Sequence, residues 1–217
     1  MKPMKDIKHH LTNSLLMGYA AGTLPEAFNL VVATHISLCD ECRAQLAEFE
    51  AVGGEVMMRT DAMAMNADAL DIALAALTDS PEEVQIKAER AGIFPTPLAD
   101  YVGGDVEAVR WRRVGGGVKQ MILPTDGGAT VRLLHIPAGA SVPDHGHRGL
   151  ELTLVLQGAF KDETDRFGTG DIEVANEELD HTPVAEDGLD CICLAATDAP
   201  LKFNSFLPRL AQPFVKI

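Results

Sequence analysis

The sequence contains too few cysteines and too few basic residues for several common classes of protein. Only 4 of its 217 residues are cysteine, which is too few for the disulfide framework of a small secreted domain. Lysine and arginine number 18 against 32 aspartates and glutamates, and the net charge is −14. A chain this acidic is a poor candidate for direct nucleic-acid binding, because basic surfaces hold phosphate backbones. The same charge suits a basic protein partner.

Long apolar runs are also missing. No segment approaches the roughly 20 apolar residues that a membrane-spanning helix requires, and the N-terminus lacks the apolar stretch of a signal peptide. We therefore expect a cytoplasmic protein without a membrane segment, in which thiols stay reduced and are available to bind metal. The hydrophobic content of 47% is ordinary for a folded protein.

The most informative motif lies near the N-terminus, where a histidine precedes two cysteines. His35, Cys39 and Cys42 follow a His-x3-Cys-x2-Cys pattern, with His10 upstream. Two thiolates and two imidazoles are a donor set typical of tetrahedral zinc. His9 is the alternative to His10 as the upstream ligand, and otherwise we expect it to be exposed to solvent. The alternative for the cysteine pair is simple burial on a helix.

Three short helices are predicted around this motif. Apolar residues at helical spacing predict a first helix that ends at Gly22, and residues 23–26 resemble a capping box for a second. Ser37 is a candidate N-cap of a third helix, which Gly53-Gly54 should stop. Both motif cysteines then lie in its first turns, where the helix dipole favours the thiolate form. A metal bound there would tie the three helices together.

A methionine-rich stretch and an apolar stripe follow. The stripe consists of Leu70, Leu74 and Leu77 at helical spacing. Its ordinary interpretation is a core helix, and the alternative is an adaptable surface that wraps around a partner, because methionine side chains repack easily. The next segment is charged and then contains several prolines, which predicts a linker.

Short apolar segments separated by glycines then predict a sandwich or barrel of short strands. Within this region His145, His147 and Glu151 lie at i, i+2 and i+6, positions that share one face of a strand. Together with His181 they form a set of three imidazoles and one carboxylate, which suits zinc, iron, manganese or nickel. His135 lies in an apolar strand and is expected to be a structural histidine.

The second cluster lies in a longer motif that resembles the first cupin motif, Gly139-x5-His145-x-His147-x3-Glu151-x6-Gly158. The resemblance implies a small β-barrel in which these two histidines and the glutamate hold a metal. The second cupin motif is only partly present, with Gly170 and His181 in its glycine and histidine positions. Its Pro-x-Gly is missing, and Ala185 stands where asparagine is expected.

The N-terminal motif resembles that of the zinc-containing anti-sigma domain over about residues 5–90. Joined to a cupin, it makes the whole chain similar to the cytosolic, cupin-bearing anti-sigma factors of the ChrR type. That resemblance favours His10 over His9 as a ligand and implies one zinc in the helical domain and another in the cupin domain. It also implies an extracytoplasmic-function sigma factor as partner, released under oxidative stress, typically by singlet oxygen, with the cupin as sensor.

We therefore predict an α+β multidomain protein, a zinc-binding helical bundle followed by an all-β cupin (jelly-roll) barrel. The predicted ranges are 1–78 for the helical anti-sigma domain, 79–97 for a linker and 98–217 for the cupin. Leu70, Leu74 and Leu77 are predicted to contact the sigma factor, and no enzymatic activity is expected. The alternative is a metal-dependent cupin dioxygenase or isomerase with a zinc-bound helical appendage, which open coordination positions on iron, nickel or manganese would favour.

Cys191 and Cys193 form the remaining cysteine pair. At i and i+2 of one strand they share a face and are poorly placed for an unstrained disulfide. They are either small apolar residues of the barrel or participants in oxidant sensing.

Overall fold

The computed structural model describes residues 6–78 and 92–203, in which helices come first and strands follow. This order confirms the predicted fold class of a helical bundle followed by a β domain. A short 3₁₀ turn at Val106–Ala108 leads into the strands. The helices of the described residues are α1 (Asn13–Ala20), α2 (Glu26–Ile36), α3 (Asp40–Met58), α4 (Ala69–Thr78) and α5 (Thr96–Val102).

Antiparallel strands build the β domain as a sandwich. The strands of the described residues are β1 (Arg112–Gly115), β2 (Val118–Leu123), β3 (Thr130–Ile136), β4 (His145–Gly146), β5 (Glu151–Gln157), β6 (Ala159–Lys161), β7 (Arg166–Gly168), β8 (Ile172–Ala175), β9 (Asp180–His181), β10 (Val184–Ala185), β11 (Cys191–Thr197) and β12 (Lys202–Phe203). Within residues 92–203 one sheet has the order β1-β2-β3-β11-β5-β8. Two smaller sheets have the orders β10-β6-β7 and β12-β4-β9.

The long sheet is buried on both faces, which explains the dense apolar run in β5. Leu152 and Leu154 belong to the core shared with the helices, whereas Val155 belongs to the core between the sheets. Successive side chains of a strand point to opposite faces. A strand covered by helices on one face and by strands on the other is therefore apolar throughout rather than alternating.

Helix α2 joins the two halves of the molecule. It packs against α5 and against β3, β5 and β11, and its Phe28 and Val31 lie in the same core as Leu133 and Leu194 of the sheet. Glu26 extends this contact: it lies 2.9 Å from the Tyr101 hydroxyl, and its other oxygen accepts a 2.6 Å hydrogen bond from the backbone of residue 126. The helices and the sandwich therefore share one apolar core.

The linker prediction falls mainly outside the described residues. Residues 79–91 are not described, residues 92–95 lead directly into α5, and residues 96–97 already belong to that helix. The predicted domain boundaries stay predictions for this reason.

The predicted helix ends are partly right. Helix α1 ends near Gly22, which has a left-handed φ of 65°. The capping box at residues 23–26 is wrong, because the Thr23 hydroxyl donates to the Gly18 carbonyl (3.2 Å) and so serves the end of α1. Among the described residues no side chain caps α2, which begins at Glu26.

Helix α3 also differs from its prediction at both ends. Its N-cap is Cys39, while Ser37 is the C-cap of α2. It runs on through Gly53-Gly54 to Met58. An interior glycine costs only about 1 kcal/mol relative to alanine. The helix formers on either side offset that cost, so two exposed glycines do not stop this helix.

Of the described residues, none lies in a helix that is long and apolar enough to cross a membrane.

Candidate metal centres

Three helical elements bring His10, His35, Cys39 and Cys42 together. Their ligand atoms all lie within 4.8 Å of one another, and this group is called the helical centre below. His10 Nδ1 is 3.3 Å from Cys39 Sγ and 3.7 Å from Cys42 Sγ, and His35 Nε2 is 3.3 Å from Cys42 Sγ. All but the partly exposed His10 are buried.

Local structure explains this convergence. His10 precedes α1, His35 lies in the last turn of α2, and Cys39 caps α3. The Cys42 backbone N–H donates to Cys39 Sγ at 3.4 Å, so the thiol occupies the place of a capping oxygen. On its outer side His10 Nε2 lies 3.4 Å from a Glu41 carboxylate oxygen, an arrangement that orients a metal-bound imidazole.

The donor set of the helical centre fits zinc. Ligand atoms on one tetrahedral zinc lie roughly 3.3–3.8 Å apart, given Zn–S bonds of about 2.3 Å and Zn–N bonds of about 2.0 Å. The three measured separations of 3.3, 3.3 and 3.7 Å fall in this range. Two sulfurs and two nitrogens in a dry site are also the softer donors that zinc accepts and magnesium or calcium does not.

Burial sets the protonation states in the helical centre. It lowers the pKa of His35 to about 4, helped by the nearby His10, so the ring is neutral at pH 7 as a metal ligand must be. Burial also raises the pKa of the Cys42 thiol to about 12. Without metal, burial therefore opposes the thiolate form of Cys42 that the helix terminus is expected to favour. A bound metal would displace the Cys42 proton.

His9 is not a member of this group and is not fully exposed. Its side chain is 23% exposed, and its Nε2 lies 3.2 Å from Asp165 Oδ2. The expectation of a solvent-exposed His9 is therefore wrong, because the ring points towards the β domain and packs at a tilt against Phe167, with the ring centroids 4.4 Å apart.

Three histidines form a second group, called the cupin centre below. His145 and His181 lie opposite each other on β4 and β9, and His147 follows β4. The Nε2 atom of His181 is 3.2 Å from that of His145 and 3.3 Å from that of His147. All three are buried. Nitrogens on one metal at about 2.0–2.1 Å lie roughly 2.9–3.4 Å apart, so the group fits an octahedral or tetrahedral ion.

Hydrogen bonds outside the cupin centre fix which ring nitrogens face inward. His145 Nδ1 lies 2.8 Å from the Pro143 carbonyl oxygen, and His181 Nδ1 lies 2.7 Å from Asp162 Oδ2. Both Nδ1 atoms therefore carry a proton that they donate, so Nε2 is the atom of each ring that would bind metal. Burial lowers the pKa of both His145 and His147, which keeps these rings neutral.

Glu151 lies beside the cupin centre rather than within the converging set. Its Oε2 lies 3.8 Å from His147 Nδ1, and its Oε1 accepts a hydrogen bond from the Thr153 hydroxyl at 3.1 Å. Its role as a fourth ligand stays a prediction.

Two acidic residues next to His181 were missed in the sequence. Asp162 Oδ2 lies 2.7 Å and Glu173 Oε1 lies 3.2 Å from His181 Nδ1. Burial alone would lower the pKa of His181, but these two carboxylates raise it to about 9. Burial raises the pKa of Glu173 to about 7. Hydrogen bonds from its neighbours hold the pKa of Asp162 well below its usual range despite burial. The only hint of Glu173 in the sequence is that an acidic residue stands between apolar residues in the segment that forms β8.

A cavity of about 440 Å³ opens onto the cupin centre between the sheets. His145, Glu151 and His181 lie on its wall, together with the buried Arg132 and many apolar side chains. The cavity gives a bound metal a space in which a small molecule could reach it.

The remaining sequence candidates lie in the barrel. Cys191 and Cys193 are buried with their sulfurs 3.5 Å apart, which is not a disulfide. The neighbouring Cys191 thiol and burial raise the pKa of Cys193 well above its usual value. His135 pairs with Asp190 at 3.2 Å and packs on Trp111, which confirms a structural histidine.

A third feature is an apolar surface, here called the apolar segment (residues 52–77). Leu70, Leu74 and Leu77 are 69%, 52% and 73% exposed. The core-helix interpretation is wrong within the described chain, because the large apolar side chains of the segment are all exposed. They are Val52, Val56, Met57, Met58, Met63, Met65, Leu70, Ile72, Leu74 and Leu77.

Fold and centres together define a cupin-bearing protein with a cysteine–histidine centre in an N-terminal helical bundle. Residues 100–199 match the ChrR cupin-like domain family. The chain is 64% identical over 212 residues to the anti-sigma-E factor ChrR of Cereibacter sphaeroides, covering 97% of this chain and 99% of that protein. The chain therefore belongs to the ChrR family of anti-sigma factors.

The fold agrees with that of a solved relative. The crystal structure of Rhodobacter sphaeroides SigE in complex with the anti-sigma ChrR matches with a TM-score of 0.80 and 62% identity, covering 88% of this chain and 99% of that one. These relatives are regulatory proteins, and this favours regulation over the enzyme alternative.

Proposed function

We propose that this chain sequesters an extracytoplasmic-function sigma factor and that it does so without contacting nucleic acid. The observation that carries the proposal is the 64% identity to an anti-sigma-E factor along 97% of the chain. A ChrR of the same fold has been crystallised with SigE.

The apolar segment is the proposed contact surface for the sigma factor. Its side chains are too many and too exposed for an isolated soluble helix, and burying each leucine against a partner would contribute roughly 1.5–3 kcal/mol. Methionines at its centre allow it to adapt to an uneven partner surface. The net charge of −14 would attract a partner with basic surfaces.

Zinc is the proposed metal of both centres. His10, His35, Cys39 and Cys42 would hold a structural zinc that fixes α1, α2 and α3 relative to one another. His145, His147 and His181 would hold the second, with Glu151 as the proposed fourth ligand. The separations of the ligand atoms and the neutral rings of His145 and His147 support this assignment. A bound metal would displace the Nε2 proton that His181 carries at pH 7 because of its raised pKa.

We assign these functions to a helical anti-sigma domain (1–78), a linker (79–97) and a cupin domain (98–217), acting in the cytoplasm. The cupin would act as sensor and release the sigma factor under oxidative stress, most typically by singlet oxygen. The cavity beside the cupin centre and the core shared by α2 and the long sheet support this role.

Co-expression with the sigma factors of the same genome tests the proposal. A sigma factor should co-purify with the wild-type chain, and metal analysis should find zinc in both centres. Cys39→Ser should lose one zinc and the partner together. Co-purification with Cys39→Ser at the wild-type yield would show that the helical centre is not needed for binding.

A second variant pair tests the contact surface. Leu74→Ala should weaken sigma binding by about tenfold, the lower value expected for a leucine that becomes buried. Leu189→Ala is the matched control, because Leu189 is 66% exposed in the β domain, away from the apolar segment. Equal affinities of the two variants, measured by titration calorimetry, would remove Leu74 from the interface.

The sensor role requires a separate measurement. His145→Ala should spare sigma binding and weaken release of the sigma factor after exposure to singlet oxygen. Normal release by this variant would exclude the cupin centre as the sensor.

A further inference from the structure

The chain just before the helical centre is fastened to the barrel. Asp171 Oδ1, at the start of β8, accepts hydrogen bonds from the backbone N–H groups of Lys8 (2.7 Å) and His9 (3.1 Å). The Ile172 N–H donates to the His9 carbonyl at 3.4 Å. His10, a ligand of the helical centre, is the next residue along. Its backbone position is therefore set by the β domain.

The His9 side chain strengthens this attachment. Its Nε2 lies 3.2 Å from Asp165 Oδ2 and its Nδ1 lies 3.6 Å from Asp171 Oδ2. The ring packs on Phe167 with centroids 4.4 Å apart. His9 is thus held by the β6–β7 turn, by β7 and by the start of β8.

The same two segments of the barrel also hold the cupin centre. Asp162, in the β6–β7 turn, and Glu173, in β8, both contact His181 Nδ1. Asp162 and Asp165 are bonded to each other through the turn: the Asp162 N–H donates to the Asp165 carbonyl, and the Asp165 N–H donates to Asp162 Oδ1, both at 3.1 Å. Asp171 and Glu173 are two residues apart. Each segment therefore contacts His181 with one acid and His9 with another.

We propose that these four acids, called the acidic clamp (Asp162, Asp165, Asp171 and Glu173), couple the two metal centres. A metal in the cupin centre fixes His181, which fixes the turn through Asp162. The turn and β8 then hold His9, and with it His10, in the position that completes the helical centre. Losing the cupin metal loosens His10 and speeds release of the helical metal. By thermodynamic linkage, the factor by which the cupin metal raises the metal affinity of the helical centre is also the factor by which the helical metal raises that of the cupin centre.

This inference rests on metal binding by both centres, as proposed above. It adds a pathway and a direction to that proposal, since the barrel acts on the sigma-binding helices through a ligand of their metal. It also gives His9, which is not a ligand, a positioning role.

Substitution with Co²⁺ provides an absorption signal that is specific to the helical centre. Thiolate-to-cobalt charge-transfer absorption reports only this centre, because the cupin centre has no cysteine ligand. The full-length chain is loaded with Co²⁺, and excess EDTA is added. The decay of the charge-transfer band then gives the release rate of the helical metal.

Four proteins are compared as a double-mutant cycle: wild type, His147→Asn, Asp165→Asn and the double variant. His147→Asn empties the cupin centre and leaves the clamp intact, and His145→Asn is a second way to empty it if this variant folds poorly. Asp165 is 63% exposed, so Asp165→Asn removes the carboxylate charge that faces His9 without disturbing the core. Glu177→Gln is the control for loss of an exposed carboxylate between β8 and β9.

We expect emptying the cupin centre to speed helical release by about fivefold or more, the usual lower range of coupling between sites. In the Asp165→Asn background the acceleration should be clearly smaller, because only the connection through β8 remains, and Glu177→Gln should leave it unchanged. An equal acceleration in both backgrounds, or none in the wild type, would overturn the inference. Failure of either centre to bind metal, measured by mass spectrometry, would instead overturn the proposed function.

Discussion

The two metal centres of this chain differ in how completely the protein surrounds the metal. The helical centre offers four ligand atoms of two kinds from the ends of short helices, which fills a tetrahedral shell. The cupin centre offers three imidazoles from paired strands and opens onto a 440 Å³ cavity. A filled shell suits a metal that holds structure together, whereas an incomplete one suits a metal that meets small molecules. The comparison teaches that one chain can hold an enclosed group of candidate ligands and a group that opens onto a cavity, and each suits a different use of a metal.

The largest test of this comparison is removal of a thiol from each half. Cys42→Ser should lose the helical metal entirely and lower the melting temperature of the helices, since structural zinc contributes on the order of 10 kcal/mol to folding. Cys193→Ser, in the buried strand β11, should keep both metals, because Cys193 belongs to neither centre. Metal analysis and circular dichroism melting curves measure both effects. Full metal content in Cys42→Ser would end the structural interpretation of the helical centre.

A smaller test concerns the residues behind the cupin ligands. Asp162→Asn should weaken metal binding in the cupin centre by about 10–100-fold, because the carboxylate orients His181 by accepting a hydrogen bond from its Nδ1. The helical centre should change far less. Competition with a chelator of known affinity measures both constants, with Glu177→Gln as the control. An unchanged cupin affinity would mean that Asp162 does not support His181.

The last test concerns the pH dependence of metal binding in the helical centre, where the expected change within one pH unit is modest. The pKa of Cys42 is raised to about 12 without metal, so its thiol is protonated at neutral pH and must lose that proton when a metal binds. Affinity should therefore rise with pH by at least about tenfold per unit between pH 6 and 8. His35, with a pKa of about 4, is neutral throughout this range and adds nothing to the slope. Zinc competition titrations at several pH values measure the slope, and a flat profile would show that Cys42 is already a thiolate.

The sequence named every residue that the fold brings together in the helical and cupin centres, with the family resemblance needed for His10 and His181. Their roles as metal ligands stay predictions. His35, Cys39 and Cys42 lie within eight residues, where local helix geometry alone brings them near one another. The strand pattern of the second half was visible for the same reason. Hydrophobic periodicity reports local secondary structure and not the contacts between distant segments.

The acidic clamp was not visible, because its members meet only through tertiary structure. Asp171 lies 162 residues from the His9 backbone that it binds, and no local motif connects the two. Whether Leu74 is buried or exposed could not be predicted either. Periodicity shows that a helix has an apolar face but not what covers that face. The end of α3 was predicted too early, because the low helix propensity of Gly53-Gly54 is offset by the helix-forming residues on both sides.

Cys39 is at once a candidate metal ligand and the residue that begins α3, and this gives the helix the properties of a lever. At 1.5 Å per residue the 19 residues of α3 extend for about 28 Å from that point. A rotation of about 10° around Cys39 would displace the methionines at its far end by about 5 Å, the height of one helical turn. A change of a few tenths of an ångström at the metal is thereby multiplied into a movement as large as a side chain on the surface offered to a partner.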